Sequence, residues 1–282
     1  RIASMLASKS STIIPIIVPS LRNRVFLDIV AAAQEVISAE GYQMMLINTE
    51  YSEKKETEAV KAVLSWKPAA LILSGTNHPE ATLKLIRNVN FPIIEIMEIS
   101  DQPINICVGF SHRSAGRDMG KYLVGKGYQS FAFYGCKMKR DVRGMKRFEG
   151  FRSEVVEAGL MEPKLNDIDS KFGDLVEGNV LEELALDCLK YDCIYCTNDD
   201  LAIGILLTLQ RLGKKVPEDL AIAGFNNLEI GQLTSPGLTT SSSPRSEIGT
   251  LAAQFALDKI KGIQLESKIN DLGCRLVPRG SA

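Results

Sequence analysis

The 282-residue sequence has few of the features that mark a secreted or membrane protein. Its six cysteines are too few for a disulfide scaffold of this length, and most lie inside apolar runs, as reduced and buried thiols do. No apolar run reaches the roughly 18 residues that a membrane span needs, and the first residues do not have the basic and apolar pattern of a secretion signal. We therefore expect a cytoplasmic location.

An excess of charge of either sign is also missing, because 33 basic residues balance 34 acidic ones. Proteins that hold a phosphate backbone by themselves usually carry a clear basic excess. We do not expect this chain to bind nucleic acid on its own.

Histidine is scarce, since His78 and His112 are the only two in the sequence. Counting alone argues against histidine-rich metal sites and most histidine-dependent catalytic triads. Cys193 and Cys196 have a metal or redox spacing, but residues three apart on a strand point to opposite faces. Glycine-rich loops with dinucleotide or nucleotide spacing are absent as well. We expect no metal, no cofactor and no enzymatic activity.

Short β-branched runs alternate with longer stretches of helical spacing along the whole chain, which is typical of parallel sheets wound with helices. A second round of winding begins near residue 130, so we predict an α/β fold with two doubly wound parallel-sheet lobes. The predicted strands cover 13–18, 43–48, 69–73, 91–96, 104–110, 130–134, 165–168, 193–196, 220–225 and about 273–278, with a further segment at 238–243 before the last helix. The predicted helices cover 25–40, 53–65, 79–88, 114–126, 143–158, 176–189, 199–212 and 247–261.

Basic and hydroxyl side chains follow several predicted strands, and ligands bind beyond the carboxyl ends of the strands in wound sheets. Arg22 and Arg24 follow the first strand, Ser74 follows the third, His112 follows the strand at 104–110, and Arg143 ends a basic segment after the strand at 130–134. Because guanidinium pairs with carboxylate or phosphate through two hydrogen bonds, this pattern favours a small anionic ligand. The alternative is that exposed loops carry these cations without binding anything.

Four segments resemble the lactose/galactose repressor family of transcriptional regulators. Residues 147–151 are similar to the family's Arg-x-x-Gly-aromatic segment, and residues 196–204 to its Asn-Asp-x-x-Ala-x-Gly element. Residues 216–225 resemble its Val-Pro-x-Asp segment with the following strand, and residues 235–240 its Pro-x-Leu-Thr-Thr crossover. The resemblance covers nearly the entire chain and is strongest to the gluconate-repressor branch.

The resemblance implies a periplasmic-binding-protein-like fold of type I, in which two lobes exchange chain through crossover strands near 128–130, 240–243 and 271–274. The N-terminal lobe would contain residues 12–128 and 242–270, and the C-terminal lobe residues 129–241 and 271–282. Residues 1–11 resemble the hinge after a helix-turn-helix headpiece that the sequence itself does not include. Leu6 stands where the family has its minor-groove wedge.

The resemblance also implies roles in ligand binding. Arg147 would reach the effector and Asn198 would face it, although Thr197 or Asn198 could instead only cap a helix. Asn226 stands where the family usually has aspartate, and an amide can lie beside an anion that a carboxylate would repel. Phe26 and Phe172 fall where the family places rings against the ligand, unless they belong to the core.

We therefore predict the effector-binding and dimerising core of a transcriptional repressor that responds to gluconate or a phosphorylated sugar acid. Its partners would be this effector, operator DNA through the headpiece, and a second copy of the chain, with no membrane. The alternative is a soluble sugar-binding receptor of a transport system, because one architecture serves both functions. Residues 276–281 match a protease site often added to recombinant proteins, but family chains also tend to end in a strand and Arg-x-Ser.

Overall fold

The computed structural model describes residues 11–170, 172–175 and 180–282. The predicted hinge with Leu6 and part of the predicted helix over 176–189 lie outside these residues. The chain forms two compact units: the first contains the chain up to Phe110 together with Pro244–Gly273, and the second contains Ser111–Ser243 together with Cys274–Ala282. The chain therefore passes from one unit to the other at three points.

Strands and helices alternate along most of the chain. In chain order, the strands are β1 (Ile13–Val18), β2 (Gln43–Asn48), β3 (Leu71–Ser74), β4 (Ile93–Ile96), β5 (Ile106–Gly109), β6 (Phe131–Cys136), β7 (Lys164–Ile168), β8 (Cys193–Cys196), β9 (Ala221–Ala223), β10 (Thr240–Ser242), β11 (Ile269–Asp271) and β12 (Arg275–Val277). The helices are α1 (Arg24–Ala39), α2 (Glu53–Ser65), α3 (Glu80–Ile86), α4 (His112–Gly125), α5 (Val142–Glu157), α6 (Phe172–Leu175), α7 (Val180–Cys188), α8 (Asp199–Arg211), α9 (Ile230–Leu233) and α10 (Arg245–Ile260).

The first unit is built on a six-stranded sheet with the order β11-β5-β4-β3-β1-β2. All neighbouring strands are parallel, and Ile16 of β1 lies opposite Leu46 of β2 and Ile72 of β3. Helices α1 and α10 cross closely, because a Cβ at Gly249 would overlap the carbonyl oxygen of Ile29. Residues 244–273, which follow the main part of the second unit along the chain, thus complete the first unit.

The second unit has a four-stranded parallel sheet with the order β7-β6-β8-β9 and an antiparallel pair of β10 with β12. Its core contains an aromatic cluster in which Phe133 and Phe151 both meet the ring of Tyr195 edge-on, at 5.0 and 5.4 Å between ring centres. Such edge-to-face pairs stabilise a core beyond the apolar area that they bury. The two wound parallel sheets confirm the predicted fold class.

Helix α4 belongs to the second unit, which corrects the first predicted crossover. A Cβ at Gly116 would overlap the carbonyl oxygen of Arg147, and a Cβ at Gly150 would overlap that of Arg113, so α4 and α5 cross with their backbones in contact. The first crossover therefore lies between residues 110 and 111 rather than near 128–130, and the expected N-terminal segment 12–128 is too long. Helical periodicity shows a buried face but not the sheet or helix that covers it.

All six cysteines are free, and four of them are buried. Burial raises the pKa of the Cys193 and Cys196 thiols well above the usual value, so these side chains are protonated core residues. In the part of the chain that the structure describes, no helix has both the length and the apolar character needed to cross a bilayer.

Candidate functional site

Arg147 lies at the carboxyl end of the second unit's sheet, on the second turn of α5. It is 5% exposed. One Nη atom donates to the carbonyl oxygen of Thr197, directly after β8, at 3.0 Å. The guanidinium lies 4.1 Å from the centre of the Phe225 ring, just beyond β9. Two neighbouring strand ends and a helix thus hold this cation at the place where wound sheets bind ligands.

His112 is the second polar partner of Arg147. The other Nη atom of Arg147 is 2.9 Å from Nδ1 of His112, which is 2% exposed. Arginine has only donors, so Nδ1 must accept and the neutral imidazole carries its proton on Nε2. The nearest carboxylate is that of Asp141, with Oδ2 3.9 Å from Arg147, and its Oδ1 accepts from the N–H of Gly144 to cap α5. His112 therefore orients the arginine without neutralising it.

Two buried polar atoms near this arginine have no hydrogen-bond partner among the described residues: Nε of Arg147 and the hydroxyl of Tyr195. Burial raises the pKa of Tyr195, against the opposing charge of Arg147, so the phenol keeps its proton. A buried donor without an acceptor costs about 1–3 kcal/mol. An oxygen acceptor within reach of Nε of Arg147 would remove this cost.

Asn198 caps α8, since its Oδ1 accepts from the N–H of Leu201 at 2.9 Å. Thr197, the residue before it, supplies the carbonyl that binds Arg147. Asn198 therefore caps the helix, a role that is compatible with ligand binding, and its predicted contact with a ligand stays a prediction. Asn198 is half-buried.

Asn226 and Asn227 form a turn with φ angles of 111° and 53°, in the left-handed region that non-glycine residues seldom adopt. Asn226 is 8% exposed, and its N–H donates to Ser241 at 2.8 Å. Asp199 supports the following residue, because its Oδ2 accepts from the N–H of Leu228 at 2.6 Å. Burial raises the pKa of Asp199 to about 6, against the opposing hydrogen bonds from Thr240 and Leu228.

The remaining predicted residues of the second unit are less closely joined to this cluster. Arg143 is half-buried on the first turn of α5, four residues before Arg147 and thus on the same helix face. Phe172 begins α6, and its side chain lies outside the described part of the structure.

Arg22, Arg24, Phe26 and Ser74 belong to the first unit, after two adjacent parallel strands, β1 and β3. Arg22 and Arg24 are exposed, and Ser74 is half-buried. Phe26 is 2% exposed on the buried face of α1, as a core residue would be. Their predicted contacts with a ligand stay predictions.

The first unit also buries a charged cluster that sequence reasoning missed. His78, 8% exposed, lies with Nδ1 2.9 Å from Glu56 and Nε2 3.6 Å from the buried Glu95. Burial lowers the pKa of His78, but the hydrogen bond with Glu56 and the negative charges of both carboxylates outweigh it and raise the pKa to about 9. His78 is therefore charged at neutral pH. Among the described residues, no group of three or more histidine, cysteine or acidic side chains is arranged to hold a metal ion.

Sequence reasoning did not assign roles to Phe225, Tyr195 or Asp199. Phe225 ends a predicted strand, Tyr195 is the second-to-last residue of another, and Asp199 follows shortly after that strand, so their place near the carboxyl edge was the available signal. The backbone carbonyl of Thr197 gives no signal in a sequence at all.

Comparison with known proteins agrees with this architecture. A family model described as a periplasmic binding protein-like domain matches residues 121–282. The chain is 33% identical over 282 residues to the HTH-type transcriptional regulator GntR of Escherichia coli K12, covering 100% of this chain and 84% of that protein.

Solved structures give the same result. The transcription regulator GntR from Chromobacterium violaceum superposes with a TM-score of 0.87 at 34% identity, covering 95% of this chain and 98% of that one. A LacI family transcriptional regulator from Silicibacter pomeroyi has a TM-score of 0.84 at 31% identity, covering 95% and 98%. The chain therefore belongs to the LacI family of transcriptional regulators and contains their effector-binding core.

Proposed function

We propose that this core binds a small anionic sugar acid, either gluconate or a phosphorylated sugar acid, with Arg147 as the principal ligand. The observation that carries the proposal is the buried Arg147 guanidinium, whose Nε has no acceptor among the described residues. A carboxylate or phosphate oxygen is the acceptor that a buried guanidinium pairs with most strongly.

The surroundings of Arg147 support an anion over a neutral sugar. The carboxylate that faces Arg147 is Asp141, whose Oδ2 stands 3.9 Å away, beyond hydrogen-bonding distance, while its Oδ1 caps α5. Asn226 supplies an amide where a carboxylate would repel an anion. Asn198, Arg143 and Phe172 are further candidate effector ligands of this unit.

The first unit contributes its own candidates. Arg22 and Arg24 would add positive charge after β1, and Ser74 would add a hydroxyl after β3. Phe26 is a weaker candidate because its side chain lies on the buried face of α1. If Arg22, Arg24 or Ser74 contacts the effector, its replacement by alanine would weaken effector binding.

We further propose that the chain acts as a homodimer and reaches operator DNA through a headpiece and the hinge around Leu6. On the second unit, Leu233 is 79% exposed and Ile230 is 48% exposed, both on α9. Leu207 on α8 is 46% exposed, and α9 packs on the same helix through Gly231 and Ile203. Contiguous apolar exposure of this kind is typical of protein interfaces. The effector would then control DNA binding by favouring one arrangement of the dimer.

Calorimetric titration of the purified chain with gluconate, 6-phosphogluconate and glucose tests the proposal. We expect at least one of the two acids to bind and glucose to bind at least tenfold more weakly, because glucose has no charged acceptor for Arg147. Glucose that binds as tightly as the acids, or acids that do not bind at all, would disprove the proposed effector class.

A further inference from the structure

We propose that Arg279, in the carboxyl-terminal segment, is a positioning residue that fixes the Asn226–Asn227 turn for effector binding. The inference rests on the proposed function, because it takes Asn226 to be an effector ligand. It adds a residue that no sequence motif placed near the site.

The segment that matches an added protease site is an integral part of the second unit. Ser281 is fully buried, its Oγ donates to the carbonyl of Ile222 at 2.6 Å, and it accepts from the N–H of Thr239 at 2.8 Å. The Tyr122 hydroxyl donates to Ala282 at 2.9 Å. The segment thus continues the hydrogen bonding that begins where β12 pairs with β10.

Arg279 joins this segment to the turn. One Nη atom donates to the carbonyl of Leu238 at 2.7 Å, and the other donates to Oδ1 of Asn227 at 2.6 Å. Its backbone N–H donates to the Thr239 hydroxyl at 3.0 Å, which fixes the base of the side chain. Both ends of the arginine are therefore held, and its planar fork can define where the Asn227 side chain lies.

The turn needs such support because two consecutive asparagines have positive φ angles. Strained backbone of this kind persists only where its surroundings hold it in place. The N–H of Asn226 is bound to Ser241 at 2.8 Å, but the N–H of Asn227 has only a longer bond of 3.3 Å to the Thr240 hydroxyl. The short bond from Arg279 is therefore the strongest contact on the second residue of the turn. Without it, we expect the Asn226 side chain to leave the position from which it binds the effector.

The test compares Arg279→Gln with Arg279→Lys and with the matched control Arg275→Gln. Arg275 lies in the same segment, on β12, but is exposed. We expect Arg279→Gln to weaken gluconate binding by about tenfold, since it removes a charge-assisted hydrogen bond. Arg279→Lys should recover part of this loss, and Arg275→Gln should stay within about twofold of the wild type.

A double-mutant cycle with Asn226→Ala separates positioning from a general structural effect. If Arg279 acts through Asn226, Arg279→Gln costs little further affinity once Asn226 is alanine. An undiminished loss in that background, or an Arg279→Gln variant that binds as well as Arg275→Gln, would overturn the inference. Should Arg279→Gln not fold, Asn227→Ala removes the acceptor instead and carries the same expectations.

A second measurement needs no effector and so separates this inference from the proposed function. Thrombin recognises the sequence of residues 276–281, and the contacts of Arg279 and Ser281 should protect the Arg279–Gly280 bond in the folded chain. We expect Asn227→Ala to raise the cleavage rate at this bond by about fivefold or more, because it removes one of the two hydrogen bonds that hold the guanidinium. Equal rates in the two proteins would overturn the inference even if gluconate binds, whereas failure of gluconate to bind with accelerated cleavage would overturn only the proposed effector.

Discussion

Replacement of Arg147 should weaken effector binding far more than replacement of another arginine on the same helix. Arg147 donates to Thr197 and His112 through its two Nη atoms, and its Nε remains for the effector. A hydrogen bond between charged groups contributes about 1.5–3 kcal/mol, which corresponds to an increase in Kd of about 10- to 150-fold. Arg147→Ala should show at least the lower value. Arg147→Lys should also lose affinity, because an ammonium group cannot bond Thr197, His112 and an effector in one plane.

The control for this experiment is Arg152→Ala. Arg152 lies on α5 as well, but it is exposed and paired with Glu162. Its loss should change the Kd by less than about twofold, since exposed ion pairs contribute little. Calorimetry with gluconate and 6-phosphogluconate gives the Kd, and urea unfolding shows whether each variant is folded. A folded Arg147→Lys or Arg147→Ala chain that binds both acids within twofold of the wild type would refute the reasoning.

Three further predictions concern stability and assembly. The pKa of Asp199 in the folded chain, about 6, lies above the ordinary value near 4, so its contribution to stability is present below pH 4 and lost as the pH rises through 6. Between pH 4 and 7 the free energy of unfolding should therefore fall by about 2–3 kcal/mol more in the wild type than in Asp199→Asn, as measured by urea unfolding. The same pH dependence in both proteins would contradict the assignment. The raised pKa of His78, about 9, predicts stability that is present below pH 6.5 and lost as the pH rises through 9. His78→Gln should abolish this pH dependence of the free energy of unfolding. If the variant loses stability between pH 6.5 and 9 as the wild type does, His78 is not the group responsible. Leu233→Asp should shift sedimentation towards the monomer, while the exposed Met161→Asp should not; an unchanged dimer in Leu233→Asp would place the interface elsewhere.

Much of the local structure could be predicted because the signals are local. The bounds of β1, β2, β8 and α2 agree with the predicted ranges, since short apolar runs mark the first three and the side chain of Ser52 caps the helix. The short helix α9 and strand β11 were missed because they have three or four residues and no periodicity. The unit to which α4 belongs depends on glycine contacts across the chain.

In the candidate site, too, residues with a local sequence signal could be predicted and long-range contacts could not. Arg147 and Asn198 come from motifs that can be read in the sequence, whereas the partners that hold Arg147 are a backbone carbonyl and a ring after other strands. His112 lies between the predicted strand over 104–110 and the predicted helix over 114–126, but it is the first residue of α4 and accepts a hydrogen bond from Arg147. The link from Arg279 to Asn227 joins residues 52 positions apart and has no sequence signature.

The most direct test of the central claim is a crystal structure of the chain with gluconate or 6-phosphogluconate bound. The account predicts a carboxylate or phosphate oxygen within hydrogen-bonding distance of Nε of Arg147. An acid bound without contact to Arg147, or an uncharged molecule in its place, would contradict it.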